Sequence, residues 1–207
     1  VCSSDLLPFF NEVELLKLRL NLLQDVVDHF IICEGNRTHT GELIQYHSAQ
    51  AIVDQLGFTD RCTVMLETLP SREDEPNNWV RENKQRDIAE TLIGRQDVVF
   101  VTDADEIPNP DFVKYYANTA WNNPKKIVRM PMAFLNCRAD LRVVDDKGNP
   151  RQWTAAYVCL KTHVNAHGLS EMRESFTRGT NKLRFESVFL TDGGQILDRS
   201  EEHTSEL

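Results

Sequence analysis

Residues 97 to 108 read Asp97-Val98-Val99-Phe100-Val101-Thr102-Asp103-Ala104-Asp105-Glu106-Ile107-Pro108, and this stretch decides the reading of the fold. Val98 to Val101 is a short, unbroken apolar run rich in β-branched residues. That is the pattern of a strand buried on both faces inside a parallel sheet. The run stops at three carboxylates, Asp103, Asp105 and Glu106, and Pro108 and Pro110 forbid its continuation. In open α/β sheets ligands bind just beyond the carboxyl ends of the strands. An Asp-x-Asp at that place offers hard oxygen ligands to Mn²⁺ or Mg²⁺, and such an ion can in turn hold a diphosphate. Two close carboxylates repel each other, and a shared dication relieves the repulsion. The plain alternative is a solvated acidic turn whose aspartate caps the next helix.

Strand and helix patterns alternate on both sides of this stretch. Phe9-Phe10 reads as an edge strand or its exit. Glu12 to Leu23 reads as a helix with Val13, Leu16, Leu20 and Leu23 on one stripe and Lys17, Arg19 and Asn21 off it. Val26 to Cys33 is a buried strand, Ser48 to Leu56 a helix stopped by Gly57, and Cys62 to Leu66 a strand. A polar loop from Ser71 to Asn78 leads into a helix from Trp79 to Ile93, closed by Gly94. After the acidic turn come a helix from Asp111 to Trp121 and a longer strand from Ile127 to Leu135. Asp145 to Pro150 is a turn. Ala155 to Lys161 and Phe185 to Leu190 are strands, with an irregular stretch between them. Such alternation means βαβ units and a mostly parallel sheet. The expected class is α/β, with helices on both faces of the sheet and a loop- and strand-rich C-terminal region.

Both ends stand apart from this pattern. Val1 to Leu6 and Arg199 to Leu207 match the translation of a common sequencing-library adapter, one read from each of its strands. A single domain is therefore expected from Leu7 to Asp198, truncated at its C-terminal side. The formal charge of −9 becomes −6 without those ends. Mild acidity argues against nucleic acid as a partner, which needs a basic face. Cys33, Cys62, Cys137 and Cys159 are scattered with no Cys-x-x-Cys, so buried reduced thiols are expected rather than a zinc knuckle or a redox pair. No apolar run approaches the roughly 18 residues of a membrane span.

Three strand ends carry polar clusters: Asn11-Glu12 after Phe10, Glu34-Gly35-Asn36-Arg37-Thr38 after Cys33, and the carboxylates after Thr102. If the strands are parallel, these clusters share one edge of the sheet. Arg81 and Arg86 open the helix that feeds the acidic strand. Their spacing of five places them about 140° apart, so at most one faces the cleft squarely. An arginine there can pair with phosphate or with a carboxylate of the cluster.

Four blocks, taken together and in order, resemble glycosyltransferase family 17. They are Phe9-Phe10-Asn11-Glu12 with Leu15-Leu16 and Arg19-Leu20-Asn21; Val26-Val27-Asp28 with Glu34, Asn36-Arg37-Thr38 and Gly41; Arg81-Glu82-Asn83 with Gln85-Arg86; and Asp103-Ala104-Asp105-Glu106-Ile107-Pro108. The family contains the β-1,4-mannosyl-glycoprotein 4-β-N-acetylglucosaminyltransferases and their microbial and viral relatives. The resemblance implies a GT-A-like, Rossmann-type fold, UDP-GlcNAc as donor, a glycan acceptor, Mn²⁺ (or Mg²⁺) and inversion at the anomeric carbon. It implies catalytic roles for Asp103, Asp105 and Glu106. Asp105 would contact the metal, and Asp103 would reach the ribose or a metal-bound water. Asn11, Glu12, Glu34, Asn36, Arg37, Arg81 and Arg86 would surround the donor, Glu34 on the uridine-ribose side. Glu106, Asp140 and Glu174 are the candidates for the base. A microbial or viral member would work in the cytoplasm, a eukaryotic one behind a membrane anchor in the secretory pathway. Two departures stand out: Gly35 replaces the family's usual serine, and the later Gly-Gly-Trp-His-Phe-Ser block is absent, with Gly193-Gly194 its only possible start.

Other features carry less. Asn36-Arg37-Thr38 is a glycosylation sequon, but it lies in the expected donor cleft. His163 and His167 have helical metal-pair spacing without an intervening glutamate and read as ordinary histidines. Trp79, Trp121 and Trp153 read as core residues, Trp153 being the best placed to stack on an acceptor sugar. Two alternatives compete with transfer. One is an aspartyl-phosphate phosphatase using Asp103 as nucleophile; the other is a nucleotide-sugar-binding protein without turnover.

Overall fold

The computed structural model describes residues 2–178 apart from 46–47, 95–97, 134 and 137, and also residues 186–190 and 196–198. The chain runs β1 (Ser3–Phe9), α1 (Val13–Leu23), β2 (His29–Gly35), α2 (Ala49–Leu56), β3 (Cys62–Glu67), α3 (Asn78–Asp87), β4 (Val98–Val101) and α4 (Pro110–Asn122). It continues through β5 (Lys126–Arg129), β6 (Met132–Ala133), β7 (Leu135–Asn136), β8 (Arg138–Arg142), β9 (Gln152–Trp153) and β10 (Tyr157–Leu160). Then follow α5 (Lys161–His167), α6 (Leu169–Arg178), β11 (Glu186–Leu190) and β12 (Ile196–Asp198). One eight-stranded sheet, ordered β12-β11-β5-β10-β4-β1-β2-β3, organises the whole. β1, β2, β3 and β4 are mutually parallel. β10 runs antiparallel between β4 and β5. The expected α/β class, with a mostly parallel sheet, is what forms.

Side-chain alternation along the strands builds two cores. Leu7, Phe9, Phe30, Ile32, Val98 and Phe100 point to the face covered by α1, α2 and α4. Their neighbours Leu6, Ile31, Cys33, Val99 and Val101 point to the other face, against Ala89, Val164, Leu169 and Met172. This period of two explains why Val98–Val101 reads as continuously apolar: both faces are dry. Pro110 opens α4 and Asn109 caps it, its Oδ1 accepting the Asp111 N–H at 3.0 Å. Gly57 closes α2 at a φ of 75°.

Several expectations are corrected. Phe9 ends a central strand rather than an edge strand, because β1 begins at Ser3 and pairs on both sides, four residues before the boundary expected at Leu7. Arg19, expected off the apolar stripe of α1, is fully buried. The long strand from Ile127 breaks after Arg129, since Pro131 cannot continue a ladder and β6 pairs in a different sheet. The helix from Trp79 ends at Asp87 and tightens into a 3₁₀ turn over Ile88–Thr91. The stretch read as irregular after Lys161 holds α5 and α6. Trp79 and Trp121 are exposed rather than core. Cys33 and Cys159 are buried free thiols, and burial pushes Cys33 up to about 12. Residues 199–207, Cys137 and Gly193-Gly194 lie outside the described residues. Among those described, no helix is long and apolar enough to cross a membrane.

Candidate functional site

The carboxyl ends of β1, β2 and β4 converge on a cavity of about 570 Å³. Phe10 and Glu12 come from the first, Arg37 to Thr40 from the second, and Asp103 to Asp105 from the third. α3 closes the remaining side with Trp79, Arg81, Glu82 and Gln85. Gln85 sets the floor: its Nε2 donates to the carbonyls of Phe9 (2.8 Å) and Cys33 (2.7 Å), tying the ends of β1 and β2. Gly41 sits at a φ of 93°, and a Cβ there would lie 2.6 Å from the Arg72 nitrogen. Only glycine lets these two loops of the wall touch.

The three carboxylates of the acidic turn have three different environments. Glu106 is buried, and its lone pairs are all engaged. Oε1 accepts from Arg173 Nη2 (2.7 Å) and the Trp153 indole N–H; Oε2 accepts from Arg173 Nη1 (2.9 Å) and the Asp103 N–H (2.7 Å). That leaves it no site for a substrate proton. Asp103 is about a third exposed, with Oδ1 accepting from Arg86 Nη2 at 2.9 Å and Oδ2 from Arg173 Nη2. Asp105 is exposed at the cavity wall, and among the described residues no side-chain partner engages it. Partial burial raises the Asp105 pKa, and the charges of Glu106 and Asp103 raise it further. Burial pulls the Arg173 guanidinium down, but its hydrogen bonds to Glu106 and the charges of Asp103 and Glu106 outweigh this and hold it firmly protonated.

Beneath the turn lies Arg19. Its Nε and Nη2 fork onto the Asp5 carboxylate at 2.7 Å each, and Nη1 donates to the carbonyls of Asp103 and Glu106 at 3.0 Å each. Nη2 also reaches the Thr102 hydroxyl. A fully buried bidentate pair thus fixes the backbone on which the acidic residues stand.

The expected donor residues divide. Glu12, Arg37 and Arg81 line the cavity; Asn11, Glu34, Asn36 and Arg86 do not. Glu12 turns back to accept the N–H groups of Phe10 and Asn11. Arg37 donates to the Leu69 and Gly41 carbonyls at 3.1 Å each. Arg81 is buried and pins two loops through the carbonyls of His39 (2.9 Å) and Glu75 (2.5 Å). Arg86 points to Asp103 instead, as their 140° separation on a helix allows. Glu34 accepts the Ser48 N–H at the start of α2, and Asn36 accepts the Leu69 N–H. Of the candidate bases, Glu174 accepts from Asn83 at 2.7 Å, and the Asp140 side chain lies outside the description.

Sequence reasoning missed Arg173 altogether and read Trp153 as a core residue, the best placed of the three tryptophans to stack on an acceptor sugar; its indole N–H serves Glu106. It also passed over the wall formed by Trp79, exposed and edge-on to His39 at 5.5 Å between ring centroids.

Over nearly its whole length the chain is similar in fold to a crystal structure of 4-diphosphocytidyl-2C-methyl-D-erythritol synthase, at a TM-score of 0.52. The identity is 14%, and the match covers 97% of this chain and 94% of that one. The likeness defines the class of fold, a Rossmann-like α/β sheet. A search of curated protein sequences finds no match. The profile of glycosyltransferase family 17 matches residues 4–128, more than half of the chain, and the chain belongs to that family.

Proposed function

We propose that this glycosyltransferase moves N-acetylglucosamine from UDP-GlcNAc to a mannose-containing or related glycan, with inversion and with the help of Mn²⁺ or Mg²⁺. The observation that carries the proposal is Asp105, the one carboxylate of the acidic turn without a side-chain partner among the described residues, set on the wall of a cavity at the carboxyl edge of the sheet. Its hard oxygens fit such an ion, which commonly takes one or two carboxylates and completes its shell with substrate phosphate and water. Bound there, the ion would neutralise charge developing on the departing diphosphate.

The chain's own residues would do the rest. Arg19 and Gln85 hold the strand ends in register, and Trp79 and His39 offer flat surfaces to the nucleotide. The acceptor hydroxyl would attack the anomeric carbon from the face opposite UDP, the bond to the diphosphate oxygen would break, and a carboxylate would take the proton. Glu106 serves this poorly as a base, with both oxygens filled. The phosphatase reading is weakened in the same way, since both Asp103 oxygens are in ion pairs.

Calorimetric titration with UDP-GlcNAc, with and without Mn²⁺ and beside UDP-glucose and UDP-galactose, tests this reading. Metal-dependent binding that prefers the N-acetylglucosamine donor and disappears in Asp105→Ala is expected. Undiminished affinity in Asp105→Ala would overturn the metal assignment. Preference for another sugar would overturn the donor. Binding without turnover on any glycan would favour the nucleotide-sugar-binding alternative.

A further inference from the structure

We infer that Arg173 is a positioning residue that keeps Asp103 occupied in the absence of donor, so that the divalent ion binds together with the nucleotide and only weakly without it. The inference rests on the metal-dependent reading above and adds a residue lying beyond the family match, which stops at residue 128.

The argument begins with charge. Asp103, Asp105 and Glu106 crowd three negative charges into four residues, and two guanidinium groups answer them from behind. Arg86 takes one oxygen of Asp103 and Arg173 takes the other, so no Asp103 oxygen faces the cavity without a cation on it. An ion arriving alone meets one free carboxylate, Asp105, flanked by two fixed positive charges. Single carboxylates hold Mg²⁺ or Mn²⁺ weakly, and the neighbouring cations oppose even that.

A diphosphate reverses the balance. It brings negative charge to satisfy the arginines and oxygens to complete the ion's shell. Both arginines can let go of Asp103 without leaving a buried charge bare. Arg173 keeps its two-pronged contact with Glu106, and Arg86 keeps Glu82 at 3.1 Å. Arg86 also has a spare donor: its buried Nε finds no acceptor among the described residues. The two arginines move as neighbours because their helices are stapled. Ser170 N–H donates to Asp87 at 2.9 Å, Ser170 Oγ to the Asn83 carbonyl at 3.2 Å, and Asn83 to Glu174 at 2.7 Å.

The test uses the whole chain and counts bound Mn²⁺ by electron paramagnetic resonance, first alone and then with UDP. Wild type is expected to bind Mn²⁺ weakly alone and much more tightly with UDP. In Arg173→Gln, Mn²⁺ alone should bind about tenfold more tightly, because a cation beside Asp103 has gone, and the enhancement by UDP should shrink to match. Arg173→Lys, which keeps the charge, should stay near wild type. An arginine with only a structural role would give the opposite sign, weaker binding in both conditions. Should burial of an unpaired Glu106 unfold the single variant, Arg173→Gln/Glu106→Gln removes both buried charges; there the net charge is unchanged, and the expected result is a smaller enhancement by UDP, because Asp103 then keeps only Arg86. Unchanged or weaker Mn²⁺ binding in a single variant that keeps its melting temperature, or an undiminished enhancement by UDP in the double variant, overturns the inference. Absence of Mn²⁺ binding by wild type even with UDP overturns the metal reading itself, and this inference with it.

Discussion

Residues 3–128 and residues 129–178 grip the same acidic turn by different means. The first region holds its backbone: Arg19, fully buried and forked onto Asp5, bonds the carbonyls of Asp103 and Glu106. The second holds mainly its side chains: Arg173 and Trp153 supply three of the four donors to Glu106, and Arg173 takes one oxygen of Asp103, Arg86 of the first region taking the other. A grip on the backbone sets where the turn stands. A grip on carboxylates sets which of them stay available. The contrast teaches that three acidic residues of one motif can be made unequal by neighbours far along the chain, with Asp105 the one that has no side-chain partner among the described residues.

The sharpest way to break the comparison is at Arg19. Arg19→Met leaves Asp5 as a buried, uncompensated charge and should cost about 3–5 kcal/mol of unfolding free energy in urea titrations. Asp5→Asn/Arg19→Met should recover most of that loss while still losing the carbonyl contacts, so stability would return without the full activity. A single variant within about 1 kcal/mol of wild type would mean the pair is not the anchor described here. Phe100→Ala, which empties a fully buried position on β4, should cost a comparable 3–5 kcal/mol or so through lost burial and a residual cavity. Its effect should fall on both regions equally, because β4 pairs with β1 on one side and β10 on the other.

Much of the first region was legible in the sequence, for a physical reason. Parallel strands are dry on both faces, so Val98–Val101 is uniformly apolar, and topology obliges polar strand ends to meet at one edge. The second region obeys neither rule. α6 does carry an apolar stripe, with Leu169 and Met172 buried and Phe176 packed against them, but Glu171, Arg173 and Glu174 interrupt it and Gly168 precedes it. Arg173 reads as a solvated cation because its partners lie 67 and 70 residues earlier. Arg19 is hard to place from the sequence for a related reason. A buried arginine is credible only beside its counter-charge, and Asp5 belongs to a segment set aside as foreign to the domain.

Trp153→Phe probes the second grip alone. It preserves most of the ring and removes one N–H from a buried carboxylate that keeps three other donors. A loss of about 1–2 kcal/mol is expected, visible in thermal unfolding, with donor binding largely kept. A loss as large as that of Arg19→Met would mean the two regions are not separable in this way.

The smallest expected effect is also the most informative about Asp105. Its folded-state pKa lies above the ordinary value of 3.8, first because of burial and then because of Glu106 and Asp103. A raised carboxylate pKa means that the folded chain binds the proton more tightly than the unfolded chain, so the ionised form costs stability. Below the ordinary value both states are protonated and the cost is absent. It grows as pH rises through the window between the ordinary and the raised value, and is complete above it. Asp105→Asn should therefore match wild type well below pH 3.8 and be more stable at neutral pH. The gain should be only about 0.5 kcal/mol, because the group is exposed and solvent screens it. Paired urea titrations at the two pH values read the difference directly. A variant less stable than wild type at neutral pH would show that Asp105 makes a favourable contact in the folded chain, and would remove the ground for treating it as the carboxylate held open for a ligand.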